Sequence, residues 1–110
     1  MCENSVVSRT PSPDGQYDAV IFERDCGATT GFSTQISVVD GGKSVSGSGN
    51  AFVADDDHGA ARAGSWGGPW AEPKWLSPAR LLIRYAKKSR VFEQSNNAEG
   101  VTITYQIVGS

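Results

Sequence analysis

The sequence predicts an all-β domain: a single small antiparallel sandwich or curved sheet of about seven to eight strands. Three observations carry this. Val and Ile together number 15 against 3 Leu, and β-branched side chains fit a pleated surface whereas Leu is the usual filler of helices. Short apolar runs, several of them strictly alternating, recur between clusters of Gly, Pro, Asn, Asp and Ser. The chain has 110 residues, enough to bury one modest core, so residues 1–110 form one domain and a Rossmann or (β/α)8 enzyme is excluded on length.

The elements follow in order. Asn4–Thr10 is a candidate edge strand. Pro11-Ser12-Pro13-Asp14-Gly15 is turn chemistry, since Pro presets φ and Asp-Gly enters the left-handed region, and it joins the first strand to Gln16–Arg24 as a hairpin. A polar bend over Asp25–Thr30 leads to Phe32–Asp40, where Thr34, Ile36 and Val38 share a face. Gly41-Gly42 ends that strand, and Lys43–Gly49 is a small, polar loop. Asn50–Ala54 is a short strand running into the acidic Asp55–Gly59. Gly59–Pro73 has four Gly, two Pro and no usable period, so it reads as a long surface loop, a kind that tends to be functional or disordered. Lys74–Leu76 and Arg80–Ala86 are strands divided by Ser77-Pro78, and Ser89–Gln94 is another, followed by a turn over Ser95–Gly100. The clearest strand is the last: Val101, Ile103, Tyr105 and Ile107 alternate with Thr102, Thr104 and Gln106, giving one buried and one wet face. No three-turn helix, heptad or internal repeat is present, and no run reaches the roughly 20 apolar residues of a membrane-spanning helix.

Charge is unevenly spread. The net charge is −2, with 3 Lys/Arg against 9 Asp/Glu in residues 1–60 and 7 against 3 in residues 61–110. Arg80, Arg84, Lys87, Lys88 and Arg90 crowd into one stretch, yet nucleic-acid binding usually comes with a basic domain, and the acidic overall balance argues against nucleic acid as a partner. Cys2 and Cys26 are the only cysteines, enough for one bridge or for two unpaired thiols. No basic and apolar leader precedes Cys2. A Cys directly after Met is also what remains when a lipoprotein leader is exchanged for Met, so Cys2 is a candidate lipid-bearing residue, with a native cytoplasmic start as the other reading.

The chemistry-bearing motifs are sparse. Asp40-Gly41-Gly42-Lys43-Ser44 has Ser37 where a P-loop needs Gly and no helix after it, so it reads as a strand-ending turn. His58, the only histidine, follows Asp55, Asp56 and Asp57; His58 with Asp56 is a weak candidate for a divalent cation, against which stand too few His and Cys for zinc and consecutive carboxylates that cannot converge on calcium. No Ser lies in a Gly-x-Ser-x-Gly elbow, and Asp25 beside Cys26 disfavours a thiolate. These features predict a non-enzyme with no cofactor and no metal. The best binding feature is aromatic: Trp66 and Trp70, in Gly64-Ser65-Trp66-Gly67-Gly68-Pro69-Trp70, place large side chains on a Gly-rich loop, as partner-binding hot spots do. Trp75 reads as core, and at least one of Trp66 and Trp70 as exposed. In Gly27-Ala28-Thr29-Thr30-Gly31, small residues and two hydroxyls make Thr29 and Thr30 candidates to bind an anion, or merely to satisfy their own turn.

The run from Ser12-Pro13-Asp14-Gly15-Gln16-Tyr17 through Cys26-Gly27-Ala28-Thr29-Thr30-Gly31-Phe32-Ser33, with the later Trp75-Leu76-Ser77-Pro78-Ala79-Arg80-Leu81-Leu82-Ile83-Arg84-Tyr85, resembles a family of small, uncharacterised bacterial proteins that are secreted or lipid-anchored. Its Ser-Pro-Asp-Gly hairpin also resembles periplasmic β-propeller repeats, of which only one unit is present. The family resemblance covers about two thirds of the chain. It carries no known activity, and implies an envelope or secreted protein with lipid on Cys2. The expected function is a non-enzymatic binding module of the cell envelope with a protein partner, membrane contact only through that lipid, as monomer or homodimer. The alternative is a cytoplasmic inhibitor or immunity protein, encoded by a phage or mobile element, that blocks a larger enzyme.

Overall fold

A computed structural model describes residues 3–25 and 33–109. Cys2, Cys26, Thr29 and Thr30 therefore lie outside the described residues. Those described form nine strands: β1 (Glu3–Pro11), β2 (Tyr17–Asp25), β3 (Ser33–Asp40), β4 (Phe52–Asp55), β5 (Ala71–Ser77), β6 (Arg80–Ala86), β7 (Arg90–Gln94), β8 (Asn97–Ala98) and β9 (Val101–Val108). They build two sheets, ordered β1-β2-β3-β4-β7 and β5-β6-β9-β8. The all-β sandwich is as the sequence predicts. Two details differ. β8 forms inside the Ser95–Gly100 turn, and β6 pairs with β9 in parallel, so the second sheet is mixed. After β6 the chain crosses to the first sheet to add β7 beside β4, then returns along the direction of β6.

The inward faces interlock between the layers. Ala19, Ile21, Ile36, Val38, Phe52 and Ala54 from the first sheet meet Ala71, Leu81, Ile83, Tyr85, Val101 and Ile103 from the second in one core. Phe52 joins the layers through its ring contacts with Tyr85 (5.2 Å) and Tyr105 (6.1 Å). The Tyr105 hydroxyl reaches the carbonyls of Ser95 (2.6 Å) and Ala51 (2.9 Å). Burial pushes its phenol well above the ordinary range, with Glu93 adding to the effect.

β2 is buried on both faces, because Val20 and Phe22, which point away from the second sheet, are also fully enclosed. The segment 41–50 is anchored all around them. Gly42 N donates to Asp18, Gly49 N to Gln35 and Asn50 N to Ser37, while Asn4 and Arg9 donate to the carbonyls of Gly47 and Lys43. The Asn50 carboxamide bonds both Val38 N and Val38 O at 2.8 Å, replacing a strand where β4 no longer accompanies β3. The hairpin before β2 closes as its residues dictate: Gly15 takes φ +74°, Gly15 N donates to Ser12 O, and Ser12 Oγ donates to Asp14.

Candidate functional site

The long loop ends at residue 70, since β5 starts at Ala71 rather than Lys74. Within it the two tryptophans take different roles. Trp66 is half-buried against the core, and its Nε1 donates to Thr34 Oγ1 at 2.7 Å. Thr34 Oγ1 donates onward to Pro69 O. Gly64 lies under the indole so closely that a Cβ there would fall 2.4 Å from the ring. Trp66 is thus a packing residue that folds the loop onto β3.

Trp70 is held by its backbone and left half-open by its side chain. Its N–H donates to Arg62 O (2.7 Å) and its carbonyl accepts from Ala86 N (2.9 Å). The Arg62 guanidinium carbon lies 4.6 Å from the ring centre and that of Arg84 6.0 Å away. Arg84 in turn bonds Glu72 at 3.2 Å. Trp70 and Trp75 line one cleft of about 580 Å³ between the edge strands β1 and β5, with Ile21 beneath and Ser8, Thr10, Glu72 and Lys74 around it. At its far end Trp75 Nε1 donates to Thr10 O (2.8 Å) and the indole stacks on Tyr17 at 6.5 Å, which ties β5 to β1. Neither Trp66 nor Trp70 is fully exposed, and Trp75, read from sequence as core, also lines the cleft.

A cleft with two indoles, Ile21 at its floor and cationic groups from Arg84 and Lys74 against the carboxylate of Glu72, with Arg62 over the Trp70 ring just outside it, suits an apolar anchor flanked by negative charge. The rest of the basic run is dispersed: Arg90 grips Asp55 through Nε at 3.1 Å, and this holds the Asp55 carboxyl below its ordinary range. His58 is exposed in a left-handed turn with Asp57 and Gly59, and among the described residues no three His, Cys, Asp or Glu side chains converge as metal donors, so His58 and Asp56 are not gathered into a site. The participation of Arg62 and Trp75 escaped sequence reasoning. Nor does spacing place Arg84: a regular hairpin with Ser77 opposite Arg80 would set Glu72 against Tyr85, and only the register shift between Trp75 and Ser77 brings Glu72 opposite Arg84.

Compared with protein-family models, curated proteins and solved structures, the chain matches none.

Proposed function

We propose that the chain is a non-enzymatic binding module of the bacterial cell envelope that holds a protein partner in the cleft between β1 and β5. The observation that carries this reading is the placement of Trp70: backbone-fixed, half-open and flanked by two guanidiniums at the mouth of the cleft. A large aromatic surface that loses little side-chain freedom on binding supplies hot-spot energy of about 2 kcal/mol or more. The partner segment this cleft fits carries an apolar side chain beside carboxylates, which Arg84 and Lys74 meet. The envelope location rests on the family resemblance and on Cys2 as lipid-bearing residue.

The test places a photo-reactive benzoylphenylalanine at Lys74, on the cleft, and at Lys43, on the opposite surface of the first sheet, in the native cell. A discrete protein adduct at 74 and none at 43 supports the reading, and adducts of equal yield at both positions, or none at 74, reject it. An adduct with a cytoplasmic enzyme would replace the envelope half of the proposal with the inhibitor alternative and leave the cleft standing.

A further inference from the structure

The two sheets end in strand edges that are treated very differently. β1 carries Arg9, a bulge between Val6 and Ser8, and Pro11; β5 carries Glu72, Pro73 and Lys74; β7 carries Arg90 and Glu93. Charges, bulges and prolines of this kind discourage pairing with another chain. β9 has none of them. Among the described residues it is paired on one side along its length by β6, and on the other only at Val101 and Thr102 by β8. Thr104-Tyr105-Gln106-Ile107-Val108 therefore presents an open edge of high β-propensity with no charge, Gly or Pro, and Ile107 on it is 61% exposed.

The backbone parity of that edge is fixed by three bonds. Thr102 N donates to Ala79 O and Lys87 N to Val108 O, both on the β6 side, while Ile103 N donates to Asn96 O on the other. Even-numbered residues thus turn their peptide groups to β6, and Tyr105 and Ile107 turn theirs to the open edge.

We propose that this edge pairs antiparallel with the same edge of a second copy of the chain, about a two-fold axis at Gln106. That register sets Tyr105 against Ile107 of the other copy and Ile107 against its Tyr105, each a hydrogen-bonded pair exchanging two N–H···O bonds, so four backbone bonds form. Both pairs are aromatic against β-branched, a favourable cross-strand combination, and both cover the exposed Ile107. The charges agree. Lys87 N is bonded to Val108 O at one end of the segment, and Glu93, bonded by Ser95 Oγ whose backbone carbonyl accepts from the Tyr105 hydroxyl, lies toward the other. Antiparallel pairing brings Lys87 of each copy toward the end that carries Glu93 in its mate. β8 limits the pairing to these five residues, because beyond Thr104 the Asn96 carbonyl already occupies the edge. The union makes one continuous surface, β5-β6-β9-β9-β6-β5, and leaves the β1/β5 cleft open at each end.

The test has two parts. Sedimentation equilibrium of the full chain is expected to show a concentration-dependent dimer, and Ile107→Lys, which sets a charge in the middle of the edge at an exposed position, to shift the dissociation constant upward at least tenfold, with an unchanged unfolding midpoint at concentrations where both chains are monomeric. Register is read by disulfide trapping in a Cys2→Ser, Cys26→Ser background. Gln106→Cys, which faces itself across the axis, should oxidise to a covalent dimer, whereas Thr104→Cys, which faces Val108, should not. A chain that stays monomeric, a dimer indifferent to Ile107→Lys, or equal trapping at 104 and 106 overturns the proposal.

Discussion

Trp66 donates its indole N–H to the Thr34 hydroxyl at 2.7 Å, and that hydroxyl gives its own proton to the carbonyl of Pro69. One fully buried hydroxyl on β3 thereby fixes both the middle and the end of the Gly-rich loop. The same loop delivers Trp70 to the cleft, where the bonds of its own backbone to Arg62 and Ala86 hold it.

Thr34→Val keeps the shape of the side chain and removes the hydroxyl, leaving the indole N–H and the Pro69 carbonyl without this partner. A loss of about 1–3 kcal/mol is expected, since buried polar groups left unpaired cost that much. Urea unfolding of the variant measures it, and Trp66→Phe added in the Thr34→Val background should then cost less than the same substitution in the parent, because the shared bond is already gone.

Gly68 lies against the same anchor, and a Cβ there would sit 2.5 Å from Ser33 O and 2.6 Å from Thr34 Oγ1. Backbone cannot yield as a flexible side chain does. Gly68→Ala should therefore lower stability by about 1–3 kcal/mol, the usual cost of overpacking. Thermal unfolding is the readout, and protease nicking within residues 59–70 should accelerate in parallel.

Trp75→Phe retains a ring to stack on Tyr17 and loses the bond to Thr10 O. The expected cost is about 0.5–1.5 kcal/mol. Because that bond ties β5 to β1, amide exchange at Thr10 and its neighbours should quicken more than exchange in β3 or β6.

Two groups set opposite pH limits. The Tyr105 phenol is raised above its ordinary value of 10.0 by burial and by Glu93. Its contribution is full below about pH 10, where the unfolded phenol is still protonated, and is lost as pH rises further. Tyr105→Phe should thus be less stable than the parent at pH 7, with the gap narrowing above about pH 10. The Asp55 carboxyl is lowered by its bond to Arg90. Its contribution is present above about pH 4 and lost as pH falls through the lowered value, so Asp55→Asn should cost less than about 1 kcal/mol at pH 7 and nothing in strong acid. Unfolding midpoints across pH check both.

The strands were legible where side-chain alternation or turn residues mark them, as in Val101–Ile107 and Ser12–Gly15. The parallel pairing of β6 with β9 was not, because alternation is the same whichever way a neighbour runs. The consecutive Ala19-Val20-Ile21-Phe22 run has the pattern of a strand buried on both faces, a feature that reading it as one arm of a hairpin left unused, and nothing local says that residues 41–50 lie over its second face. The site divides likewise. Composition pointed to the loop, but which indole packs and which stays open depends on Thr34, 32 positions from Trp66, and on Arg84, brought to Trp70 by strand register. Spacing along the chain carries neither fact.

The central claim is that Trp70 serves binding while Trp66 serves the fold. The most direct measurement is the yield of the partner adduct formed at position 74 in a Trp70→Ala background, read beside the unfolding midpoint of the same protein. The account predicts that the adduct disappears while the midpoint falls by no more than a few degrees, as a half-open ring on a fixed backbone implies. An adduct of undiminished yield in a folded Trp70→Ala protein would contradict it.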